Sequence, residues 1–160
     1  MKRTQLLAFG LVAAVWLAAP PLKAADTPEP APVHATADPL ARAREAIAAQ
    51  RWPAAVSELR RLGLTGSADW NNLMGFALRK QARPDLDGAQ RHYDAALRID
   101  PNHQGALEYA GELDLMRGRL ADAEQKLDRL AKLCSTPCEP LDDLRKAIDR
   151  FKSSGNRYVP

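Results

Sequence analysis

Between residues 39 and 152 apolar side chains return every three or four positions, the period of a helix that buries one face, and polar residues fill the gaps. Together with the Gly, Pro, Asp and Ser punctuation, the pattern predicts seven helices, near residues 39–50, 53–62, 68–81, 85–99, 104–116, 120–133 and 140–152. No stretch alternates apolar and polar over strand length, so the expected class is all-α. The pattern also repeats at longer range. Ala55, Ala89 and Ala123 stand 34 residues apart, and three further series keep that interval: Trp52, Leu86 and Leu120; Leu59, Tyr93 and Leu127; Leu62, Ala96 and Leu130. An alanine at the same point in every unit implies that another helix crosses closely there.

A 34-residue unit built from two helices resembles the tetratricopeptide repeat. The resemblance covers about residues 39–133 and is sharpest in the second unit. There Gly75, Gly88-Ala89, Tyr93 and the closing Pro101 look like the family's glycine in the first helix, alanine and aromatic in the second, and terminal proline. The third unit matches through Gly111, Gly118, Ala123, Leu127 and Leu130, with Pro137 later than the family's proline. The first unit has Ala43 in place of the glycine and lacks the proline, as suits a terminal repeat.

The resemblance implies an α-solenoid of about three helix-turn-helix units, near residues 39–66, 67–101 and 102–137. Such an array needs a cap. Leu141, Leu144, Ile148 and Phe151 share one face of a helix at 140–152, with Asp142, Asp143, Arg145, Lys146 and Arg150 on the other, and a fraying tail, residues 153–160, follows. One spacing departs from the pattern. Ala43 to Ala55 and Gly111 to Ala123 are 12 apart, but Gly75 to Ala89 is 14, which puts two extra residues between Arg79 and Pro84 and predicts a cationic loop tip of Arg79, Lys80 and Arg83.

The first 25 residues change how the charge is read. Basic Lys2-Arg3, the 14-residue apolar run Leu6 to Ala19, then Pro20-Pro21 and the small Ala24 and Ala25 make a secretory signal peptide, too short to span a bilayer comfortably. Cleavage after Ala24 or Ala25 removes Lys2, Arg3 and Lys23, so 23 basic against 20 acidic residues become 20 against 20. A near-neutral mature chain offers no basic stripe for nucleic acid. No cysteine stands at the cleavage site, so a lipoprotein anchor is not expected either. The expected location is therefore exported and periplasmic, with full secretion as the alternative, and no stable membrane span after cleavage. Residues 26–38, with Pro28, Pro30 and Pro32, read as a flexible linker.

Candidate chemistry is sparse. Cys134 and Cys138 are the only cysteines, and an even pair this close in an exported chain reads as a disulfide pinning the capping helix. The alternative is a thiol–disulfide or metal-handling role for the same pair. His92 and His103 read as surface histidines and Asp85 as a helix N-cap, and Asp38-Pro39 and Asp100-Pro101 fit the same helix-start chemistry. No nucleophile, base and orienting carboxylate occur as a set, so neither an enzyme nor a cofactor is expected.

The resemblance further implies a concave groove lined by the first helix of each unit. Counting from Ala43, Gly75 and Gly111, it should present Leu40, Arg44 and Ile47, then Asn72, Phe76 and Arg79, then Glu108, Glu112 and Leu115. Phe76 should be its exposed centre, with basic character on one side and acidic on the other. The expected function is an exported interaction module that holds a peptide segment or helix of another envelope protein, of a kind the groove residues do not specify. The same residues leave the oligomeric state open.

Overall fold

Every apolar stripe seen in the sequence becomes a helix in the computed structural model, which describes residues 38–135 and 137–158. The expected signal peptide, residues 1–25, and linker residues 26–37 lie outside the described residues, as do Thr136 and the last two positions. The order is α1 (Ala41–Ala48), α2 (Trp52–Leu62), α3 (Ala68–Lys80), α4 (Leu86–Ile99), α5 (Gln104–Met116), α6 (Leu120–Leu133) and α7 (Glu139–Ser153), with no strand among the described residues. The described residues fall within one compact unit, Thr36–Pro160.

Local chemistry sets the ends. Pro53 sits in the first turn of α2, and Gly63, at φ 62°, ends it in the left-handed conformation that a side chain would disfavour. Ser67 Oγ accepts from the Trp70 N–H at the start of α3, and Asp85 Oδ1 accepts from the Gly88 N–H at the start of α4, as expected of an N-cap. The expectation for Asp38 and Asp100 needs correction. Their carboxylates accept from Leu40 N–H and Asn102 N–H, which shapes the turn before each helix rather than capping it. The cap of α5 is His103, whose unprotonated Nδ1 accepts from the Ala106 N–H at 3.0 Å.

The helices pack as sequence neighbours: α1 on α2, α3 on α4, α5 on α6, with α7 against both α5 and α6. Helix α3 also touches α1 and α5 directly, which brings the first members of the pairs side by side. Ala55, Ala89 and Ala123 are each 0% exposed, as their triple recurrence implied. Gly75 permits a close crossing: a Cβ there would stand 2.7 Å from Tyr93 Cε1, so α3 closes onto α4 only because the side chain is absent. Gly111 does the same for α5 against α7, where a Cβ would meet Leu144 Cδ2 at 2.7 Å.

The core has two parts. One is built on Leu59, Trp70, Leu73, Met74 and Tyr93. The other surrounds α7, whose Leu141, Leu144, Ile148 and Phe151 are all buried. A disulfide joins Cys134 to Cys138 across the turn between α6 and α7, with Cα atoms 5.8 Å apart. Among the described residues no helix is long and apolar enough to cross a membrane.

Candidate functional site

The sharpest concentration of unusual chemistry lies where α3 and α5 run side by side. Phe76 on α3 packs edge-on against Trp52 of α2, with ring centroids 5.7 Å apart, and tilted, with 32° between the planes, against Tyr109 of α5 at 4.6 Å. The Arg79 guanidinium stands 5.6 Å from the Phe76 ring centroid and 5.7 Å from that of Tyr109. Its Nη2 lies 2.5 Å from Glu112 Oε2 of α5, while the Arg79 side chain is only 1% exposed. Lys80 brings a second cation to the same ring, its ammonium 5.8 Å from the Phe76 centroid.

Arg79 is thus not part of a loop tip, as its spacing suggested, but the last buried residue of α3. Arg79 lies within α3, on the side where Tyr109 and Glu112 of α5 cover it, whereas Lys80 and Arg83 stay exposed. Burial works against the guanidinium charge, but Tyr93 and Glu112 outweigh it and hold Arg79 protonated. Its donors are incompletely used. Nε has no hydrogen-bond partner, and Nη2 meets Glu112 as an ion pair without the angle of a directed hydrogen bond. Asn72 Oδ1 and the Tyr93 hydroxyl are likewise buried without partners.

The acidic half of the face also differs from expectation. Glu108 is 8% exposed, and burial first, then Glu112 and Asp143, push its carboxyl up to about 8, with Arg79 only partly opposing. At neutral pH Glu108 is mostly uncharged, and Glu112 is matched by Arg79. The predicted gradient from basic to acidic is therefore largely neutralised. Tyr109, beside both glutamates, has its phenol pushed up to about 12, by burial before charge.

The remaining predicted residues divide by depth. Arg44 is exposed and pairs with Asp38 at 3.3 Å and Asp69 at 3.4 Å. Ile47 is half-buried against the first core cluster, and Asn72 is buried. Leu40 and Leu115, expected on the open face, are core residues at 4% and 1% exposure. Leu115 is lost to the face because α7 covers that end of α5.

Sequence reasoning missed three features. Trp52 and Tyr109, which complete the aromatic row, could have been found as aromatics at helical spacing facing Phe76. Asp114 is 2% exposed and holds Arg119 at 2.6 Å and Lys126 at 2.5 Å, joining α5 to α6. The tail was the third. Gly155 at φ 71° and Asn156 at φ 61° reverse the chain after α7, and Tyr158 returns to line a hollow of about 280 Å³ with Arg79, Lys80 and Met116. A second hollow of about 260 Å³, lined by Pro53, Val56, Ser57, Arg60 and Gln81, has no aromatic and no buried charge.

Against known proteins, the chain matches no family model and no curated protein sequence. What it does must be argued from its own residues. Cys134 is half-buried and Cys138 is 8% exposed, and both are spent in the disulfide. The two histidines among the described residues serve structure: His103 Nε2 lies 2.9 Å from Asp69 Oδ1 besides capping α5, and His92 Nδ1 lies 3.0 Å from Asn71 Oδ1. Among the described residues no three His, Cys, Asp or Glu side chains gather as metal ligands.

Proposed function

We propose that this chain is an exported, non-catalytic interaction module of tetratricopeptide type. In this reading its helix pairs form a short α-solenoid, capped by α7, whose concave face holds a peptide segment or helix of another envelope protein. The observation that carries the reading is the row Trp52, Phe76 and Tyr109 with Arg79 and Lys80 against it, since half-buried aromatics edged by cations are what binding hot spots are made of. Support for the repeat comes from the 34-residue register, its three fully buried alanines and the direct contact of α3 with α1 and α5.

Packing revises the expectation that Phe76 is a freely exposed aromatic: it serves both the face and the junction of α3 with α5. Truncation to alanine would confuse the two roles. Phe76→Leu keeps most of the volume and should cost under about 1.5 kcal/mol in unfolding. Partner binding should weaken by roughly 1–3 kcal/mol through loss of the ring. Unchanged binding in the folded variant would move the site elsewhere.

A further inference from the structure

Tyr158 belongs to the tail, yet it packs half-buried against the α7 core cluster and lines the same hollow as Arg79 and Lys80. It reaches that place by a specific turn. Ser154 Oγ and the Arg157 carbonyl oxygen are hydrogen-bonded, Asn156 N–H donates to Phe151 O at 2.9 Å, and two successive left-handed residues, Gly155 and Asn156, reverse the backbone. All these bonds are local to the end of α7. In the hollow Tyr158 is held by the packing of its ring and by its hydroxyl beside Arg79, whose buried Nε has no hydrogen bond of good geometry.

We propose that Tyr158 is a built-in plug of the α3–α5 face, displaced by an extended partner peptide that carries an aromatic residue preceded by an acidic one. The proposal rests on the binding role assigned above to that face. The aromatic is the group the hollow already holds. Its acidic neighbour follows from charge: among the described residues Lys80, exposed at the rim of the hollow, has no ion-pair partner, Arg79 is already matched by Glu112, and the residue before Tyr158 is another cation, Arg157, turned back on Ser154 O at 3.3 Å. A carboxylate in the place of Arg157 supplies the anion that Lys80 lacks, and the peptide's main-chain carbonyls supply the acceptor that Arg79 Nε lacks. The plug makes every partner compete with a covalently tethered group.

The test uses the full chain and two labelled octapeptides. One has the sequence of residues 153–160, and the other is that peptide with Arg157→Glu. Fluorescence anisotropy at low salt should show both binding the Tyr158→Ala protein, the glutamate peptide about tenfold tighter. The wild-type protein should bind each about tenfold more weakly than Tyr158→Ala does, as expected if the plug is closed about nine-tenths of the time. A second readout guards against a damaged variant. Nuclear Overhauser contacts from the Tyr158 ring to the α7 cluster, present in the free wild-type protein, should vanish as the glutamate peptide saturates it. Equal binding to wild type and Tyr158→Ala, no binding to Tyr158→Ala, or ring contacts that persist at saturation would each overturn the plug. None of these results touches the assignment of Phe76, which stands or falls on partner binding by Phe76→Leu.

Discussion

Arg79 and Glu112 join α3 to α5 from the inside, with 2.5 Å between Nη2 and Oε2 and 1% exposure for the arginine side chain. A pair taken out of water adds little net stability, but removing one partner leaves the other charge uncompensated. Glu112→Ala should cost roughly 3–5 kcal/mol in urea unfolding. The double replacement Arg79→Met with Glu112→Leu should stay within about 2 kcal/mol of wild type. A loss of under about 1 kcal/mol for Glu112→Ala would mean that the pair is solvated in solution.

Glu108 gives the fold a pH dependence of unusual sign. Its carboxyl is pushed up to about 8 in the folded chain, from an ordinary value of 4.5, because burial, Glu112 and Asp143 disfavour the charged form. The folded state therefore binds more protons than the unfolded state between those values, so stability falls as pH rises from about 4.5 to about 8 and is level above that. Glu108→Gln should flatten this slope and raise stability at pH 8 by roughly 1–4 kcal/mol. A wild-type slope that survives the substitution would assign the dependence to another group.

The Cys134–Cys138 bond closes a small ring, which limits what it adds. Loop entropy gives about 2 kcal/mol. Replacing both cysteines with serine should lower stability by that order and leave partner binding within about twofold, because the turn between α6 and α7 lies outside the aromatic row. Non-reducing alkylation with mass analysis checks the bond in the exported protein. A folded double-serine variant with no binding would instead favour thiol chemistry as the function.

Helix positions were legible because each carries its own punctuation: Gly63 stops α2, Asp85 starts α4, and the observed ends fall within two residues of those read from the sequence. The alanine series was legible for a related reason, since only close crossing keeps a position small three times over. Depth on the α3–α5 face was harder to read. Periodicity tells which side of a helix a residue takes, not how far a neighbour extends over it, so α7 buried Leu115 and α5, through Tyr109 and Glu112, buried Arg79 against expectation. The charge of Glu108 depends on the same depth. The return of Tyr158 was signalled faintly by Gly155-Asn156, a pair suited to left-handed turns.

The central claim, that the face around Phe76 receives another protein, is tested most directly by placing a photocrosslinking amino acid at Lys80 and mapping the adduct by mass spectrometry in cells that export the chain. Lys80 is exposed and borders the aromatic row, whereas Arg98, exposed on α4, is the control. The account predicts one discrete adduct from position 80, formed on an extended segment of a single partner, absent from position 98 and lost in Phe76→Leu. Equal yields from the two positions, or an adduct at 80 untouched by Phe76→Leu, would contradict it.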